Sequence, residues 1–135
     1  MHQDITLEQL RARQSLLTAG KGPSAKLLFE SIEGACRQLF PKSNRPTHIF
    51  ELHGRSRNEQ LCALYAFLLL RHPMLRLSHQ ETAEYLNTDV VKIREYEAAG
   101  VLMAVGSESA DACARLTLAC TMLGINGTDL MLNSS

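Results

Sequence analysis

Residues 77–102 read Leu77-Ser-His-Gln-Glu-Thr-Ala-Glu-Tyr-Leu-Asn-Thr-Asp-Val-Val-Lys-Ile-Arg-Glu-Tyr-Glu-Ala-Ala-Gly-Val-Leu102. Ser78 followed three residues later by Glu81 is the pattern of a capping box, in which a hydroxyl and a carboxylate satisfy orphan backbone donors at a helix start. Ala83 is small where two helices must cross closely. Leu86 closes this first helix, and Asn87 stands where a turn needs a residue that tolerates positive φ. Asp89 can cap a second helix. Along it Val90, Ile93 and, further on, Tyr96 and Glu97 recur at helical spacing, and Gly100 reads as its stop. The expectation is a helix-turn-helix. In that geometry the second helix is the one able to enter a DNA major groove. Nothing in the stretch is catalytic.

The second half of the stretch, Ile93-Arg94-Glu95-Tyr96-Glu97-Ala98-Ala99-Gly100-Val101-Leu102, resembles the DNA-binding head of the MerR family of mercury-resistance regulators. That family's second helix ends in an aliphatic residue, Arg, an aromatic, Tyr and Glu, then two variable residues, Gly and two aliphatics. Asn87 falls at the family's turn glycine, and Asp111 through Leu123-Gly124-Ile125 looks like its following helix. The likeness runs over about residues 80–130. Glu95 stands in place of the aromatic. The family's basic, Tyr-containing wing has no counterpart, because Met103-Ala-Val-Gly-Ser-Glu-Ser109 is short and carries no cation. The wing is therefore expected to be absent or reduced, and with it the phosphate contacts that flank the groove. The motif also lies mid-chain, where the family has it at the N-terminus.

Residues 36–92 are also similar to the C-terminal DNA-binding domain of the chromosomal replication initiator DnaA. The counterparts are Leu52-His53-Gly54, then Arg55-Ser56-Arg57, then an apolar helix from Cys62 to Arg71, then Leu77 onward. The resemblance implies that Arg55 and Arg57 grip phosphates. It does not carry that family's base readout, because Val90, Val91 and Lys92 do not match the Asp-His-Ser/Thr-Thr start of its recognition helix. No Gly-Lys-Ser/Thr phosphate loop occurs anywhere in the chain, so an initiator ATPase is excluded.

A chain of 135 residues suggests one domain, long enough to bury most of its apolar surface without staples. A hydrophobic content of 45% with 5% aromatic and no Trp suits a helical core built on Leu and Ala. No run alternates apolar and polar residues as a strand would. The fold class read here is all-α: a multi-helix bundle over 1–135, with N-terminal helices in 1–45, the helix-turn-helix core in 47–102 and a C-terminal helix in 107–132. The longest apolar run, Leu61–Leu70, is too short to span a bilayer and suits a buried helix. The first residues lack a charged-then-apolar signal, which makes the cytoplasm the default. Cys36, Cys62, Cys113 and Cys120 lack metal-knuckle spacing and read as reduced, buried thiols. His48, His53, His72 and His79 are dispersed and are given capping or surface roles. No metal, cofactor or catalytic residue is expected, and no Ser-His-Asp or Cys-His grouping is visible.

The net charge is zero but unevenly placed. Arg37 to Arg76 carries net +5 (Arg37, Lys42, Arg45, Arg55, Arg57, Arg71 and Arg76 against Glu51 and Glu59), and Leu77 to the end carries −5. A basic segment that meets a polyanion and an ordinary solvated or intersubunit-paired face are both open readings. The expected DNA contacts are Arg55 and Arg57 on phosphate, and Asn87, Thr88, Lys92 and Arg94 from the turn and second helix. Lys92 and Arg94 could equally be solvated helix charges paired with Asp89, Glu95 or Glu97. Two functions remain. One is a DNA-binding transcriptional regulator. The other is a helical adaptor that reuses the motif to bind protein.

Elsewhere the periodicity predicts helices over 5–19 and 24–40, a short one over 47–52, and one over 58–71 that is apolar on most sides and hence central. Ser107 or Ser109 starts a last long helix to Leu123, with one further turn near 128–132. Leu7, Leu10, Leu16 and Leu17 form one N-terminal stripe, and Leu27, Leu28, Ile32, Ala35, Cys36 and Leu39 a second. A partner copy is expected to cover them, giving a homodimer through 5–40, the last helix or both. Leu64, Phe67, Leu68, Ala83, Leu86 and Ile93 should be buried together.

Overall fold

A helix whose apolar residues leave no polar side has to be surrounded. That is the position of Leu61–Leu70 in a computed structural model that describes residues 7–19, 21, 24–39 and 56–131. The chain is all-helical. The described residues form α1 (Leu7–Thr18), α2 (Ser24–Leu39), α3 (Ser56–Arg71), α4 (His79–Tyr85), α5 (Val90–Ala104), α6 (Ala110–Leu123) and α7 (Gly127–Met131), with no strand among them. Every residue of α3 from Leu61 to Arg71 is buried, and its neighbours are α2, α4, α5 and α7. Leu64, Phe67, Leu68, Ala83, Leu86 and Ile93 lie in one core cluster, as their spacing predicts. The short helix expected over 47–52 lies outside the described residues.

The helix ends show why the chain turns where it does. Ser78 accepts from the Glu81 N–H while Glu81 accepts from the Ser78 N–H, which makes the capping box real. Asn87 takes φ 59°, and α4 closes with a 6→1 bond from the Thr88 N–H to the Ala83 carbonyl (2.9 Å) that encloses a 5→2 bond from the Asn87 N–H to the Glu84 carbonyl (3.3 Å). Asp89 then caps α5 by accepting from the Lys92 N–H at 2.8 Å. Ser109 caps α6, and Gly124 at φ 69° ends it.

Gly100 is not the stop the sequence suggested. α5 runs on to Ala104, and the left-handed residue that ends it is Gly106, at φ 80°. Gly100 instead lies buried against Phe67. A Cβ there would sit 2.3 Å from the Phe67 ring Cγ, so the missing side chain sets how closely α5 approaches α3. The loop left between α5 and α6 is only Val105–Ser109 and contains no strand, so no wing is formed.

The N-terminal stripes are also placed differently. The buried face of α2 is Ala25, Phe29, Ile32, Glu33, Ala35 and Cys36, and it packs on α3 and α6 within the same chain. Leu27 points outward and is 64% exposed, while Phe29, absent from the expected stripe, sits against the Tyr85 ring at 5.1 Å. Among the described side chains of α1 the fully buried one is Gln14, and Leu16 is 79% exposed. The side chains of Leu7 and Leu10 lie outside the described residues. His72, expected in a capping or surface role, is buried at the end of α3, where its Nδ1 caps the next turn by accepting from the Met74 N–H at 3.2 Å. Burial lowers its pKa.

Candidate functional site

The surface that could meet a partner is the outer face of α5. Its inner face is fixed: Ile93, Tyr96, Gly100 and Met103 are buried, and α3 and α4 lie behind them. A helical repeat of 3.6 residues then turns Val91, Arg94, Glu95, Ala98, Leu102 and Val105 outward, and all six are exposed.

Among the expected contact residues, Asn87 and Thr88 are half-buried in the turn. Their backbone N–H groups close the end of α4, so their first role is structural. Lys92 is partly engaged. Its ammonium lies 3.6 Å from Glu95 Oε1 and 5.4 Å above the Tyr96 ring. Arg94 is exposed and makes no ion pair with any described residue. Arg55 lies outside the described residues. Arg57 is in the first turn of α3, its side chain outside them. Along the helix axis Arg57 is 14 residues, or about 21 Å, from Arg71, which touches α5 at Glu97.

The basic segment is less free than its composition implies. Arg37 faces Glu33 at 3.5 Å, one turn back on the same helix. Arg71 is buried. Its Nε donates to Glu97 Oε2 at 2.9 Å, its Nη1 donates to the Leu130 carbonyl at 2.8 Å, and its guanidinium lies 5.5 Å over the Phe67 ring. These contacts tie α3, α5 and α7 together. His79 Nε2 lies 2.8 Å from Glu97 Oε1. Burial, the largest influence on Glu97, raises its pKa, but the hydrogen bonds and charges of His79 and Arg71 outweigh it and hold the carboxyl below its ordinary value. Glu97 is thus a structural anchor and not a group that faces a ligand.

A second polar network, missed in the sequence, lies under α1. Gln14 Nε2 donates to the Tyr85 hydroxyl at 2.8 Å, and that hydroxyl is 3.1 Å from the Tyr65 hydroxyl. Arg11 donates to Gln14 at 3.3 Å and lies 3.6 Å from Glu33 Oε1. Glu33 is almost fully buried, and its Oε2 has no hydrogen-bond partner among the described residues. Burial raises its pKa, and Arg11 and Arg37 only partly offset that. Burial likewise pushes the Tyr85 phenol up to about 12 and the Cys36 thiol well above its usual range. These phenols and thiols stay protonated near neutrality and serve as packing and hydrogen-bonding groups.

All four cysteines are free thiols. Among the described residues no cluster of three or more His, Cys, Asp or Glu could hold a metal, and no helix is long and apolar enough to cross a membrane. A cleft of about 270 Å³ between α5 and α6 is lined chiefly by Met103, Leu116, Thr117, Cys120 and Ile125. Thr117 donates its hydroxyl to the Cys113 carbonyl, so its donor is already engaged in the helix. Comparison with protein-family models, with curated proteins and with solved structures finds no match. What the chain does has to be read from its own residues.

Proposed function

We propose that the chain is a non-catalytic DNA-binding protein of the transcription-regulator type. In this reading α4, the Leu86–Asp89 turn and α5 act as a helix-turn-helix, and a homodimer presents two copies of α5 to duplex DNA. The observation that carries it is the outer face of α5 in its first two turns. Val91 is 67% exposed and Arg94 is exposed and free of acidic partners among the described residues, while the opposite face is locked to α3 and α4. In such motifs the residues near the start of the second helix contact base edges. Arg on guanine and an apolar side chain on the thymine methyl are the pairings this face offers.

The test is a fluorescence anisotropy titration with long random duplex, from low to physiological salt. Weak binding with a small salt slope is expected, because Asp89 and Glu95 flank Lys92 and Arg94 and few phosphates are neutralised. Arg94→Ala should change the preference among sequences. A loss of one phosphate-contacting Arg, such as Arg57→Ala, should weaken all sequences alike and lower the salt slope by about one unit.

A second reading is carried by the same helix. Val91, Leu102 and Val105 are exposed apolar residues on one face, and the charged groups beside them balance. That is also the profile of a helix that docks on another protein. If no duplex binding appears at tens of micromolar protein in low salt, the DNA reading is wrong and the adaptor reading replaces it.

A further inference from the structure

The described side chains of α1 hold it to the bundle mainly through polar contacts. Among its described side chains the one buried completely is polar, Gln14, while Leu16 is 79% exposed. These contacts include Gln14 on the Tyr85 hydroxyl, Arg11 on Glu33, and Arg13 Nη1, which donates to the Tyr85 backbone carbonyl at 3.1 Å. Only Leu17 among its described apolar side chains packs on the core, and it is half-buried. Hydrogen bonds of this kind are exchanged for bonds to water on release, so each gives a small net gain. Release would strand few groups. The Tyr85 hydroxyl keeps Tyr65, and Glu33 Oε2, orphaned when α1 is docked, would be reached by solvent. A helix of 12 residues is marginal once it leaves its support.

Docking has one consequence beyond α1. Tyr85 is the last residue of α4, whose final carbonyls lack helical partners. Arg13 satisfies one of these and places a cation at the C-terminal end of the helix, where the macrodipole favours it. Immediately after Tyr85 comes the Leu86–Asp89 turn that sets the angle of α5. α4 has only seven residues and packs on α1, α3 and α5, so the hold on its last turn is one of the few contacts that position it.

We propose that α1 is a detachable clasp: it undocks as a unit, below the stability of the α3 core, and while docked it fixes the α4 end and the turn into α5. The inference stands on α1 and the end of α4 alone, whether or not α5 meets DNA. Hydrogen exchange on the full chain tests it. α1 amides should be protected on the order of 100-fold less than α3 amides. The double variant Gln14→Ala with Arg13→Ala should speed exchange in α1, and at Leu86, Asn87 and Thr88, by about 10-fold, with α3 unchanged. Leu16→Ala, which removes an exposed side chain from the same helix, should change none of these. Equal protection of α1 and α3 would overturn the proposal. So would release of α1 with residues 86–88 exchanging as in the wild type.

Discussion

Glu33 is the residue at which burial and charge pull hardest against each other. Its carboxyl is almost fully buried, shares one oxygen between Arg11 and Arg37, and leaves the other unbonded among the described residues. Burial wins and raises its pKa above the ordinary 4.5. The folded state therefore binds a proton more readily than the unfolded chain. The stability contributed by that proton is fully present below the unfolded value and is lost as pH rises through the folded one. Glu97 has the opposite sign. Its folded pKa is lowered, so its contribution is present above 4.5 and is lost as pH falls through the folded value. The two effects separate by variant. Glu33→Gln removes the titration, so its melting temperature relative to wild type should be higher at pH 7 than at pH 4.5. A difference that stays constant across that range would mean the Glu33 carboxyl is not perturbed. Little of this was legible in the sequence. Gln14 meets Tyr85 across 71 residues and Arg71 meets Glu97 across 26, and periodicity carries no information on which polar side chains a fold brings together. Ser78, Asn87 and Asp89 were legible because a cap or a left-handed turn residue is defined by neighbours within three or four positions.

At the scale of elements, the same distinction explains Gly100. A glycine near the end of an apolar-periodic segment reads as a stop, and locally that reading is sound. What overrides it is tertiary. α5 lies closely on α3 at Phe67, and only a residue without Cβ fits, with Phe67 itself wholly buried and unable to move aside. The true stop, Gly106, is followed by a 6→1 bond from the Ser107 N–H to the Leu102 carbonyl at 2.8 Å. Gly100→Ala should therefore be destabilising despite alanine's higher helix propensity. Three Phe67 atoms would lie within 2.6 Å of the added methyl, and forced overpacking of this kind typically costs about 1–3 kcal/mol. Chemical denaturation of the variant measures it. A neutral or stabilising change, the sign propensity alone gives, would show that the two helices separate readily there. The candidate site follows from the same element. Its location on α5 was readable from the caps and the turn. Which face of α5 points outward depended on how α3 and α4 cover the other, and the partial engagement of Lys92 by Glu95 and Tyr96 became visible only in three dimensions.

For the whole molecule, the question is what remains exposed once the helices have covered one another. α2, whose stripe seemed to call for a second subunit, is covered by α3 and α6. The basic stretch, for which a polyanion and a solvated or paired face were both open, gives Arg37 to Glu33 and Arg71 to Glu97. A sequence segment is not a surface: the α2 stripe is covered by helices distant in the chain, while of the charges Arg37 is paired one turn away and Arg71 across 26 residues. The proposed self-association is thereby narrowed. Leu16 and Leu27 remain exposed on the N-terminal helices, and Leu118 and Met122, one turn apart, on the outer face of α6. From Leu116 to Thr128 the chain carries no charged residue, so α6 presents nothing there to repel a second copy of itself. Sedimentation at micromolar concentration should show a dimer. Leu118→Glu with Met122→Glu should return it to monomer with little change in melting temperature, since both side chains are about half exposed before association. If the dimer survives that change but dissociates with Leu16→Glu and Leu27→Glu, the interface lies on the α1–α2 hairpin instead. A wild-type chain that sediments only as monomer would remove the two-copy arrangement from the proposed DNA reading. Arg94 and Val91 of a single α5 would then be the whole base-reading surface, and a face that small supplies little sequence discrimination.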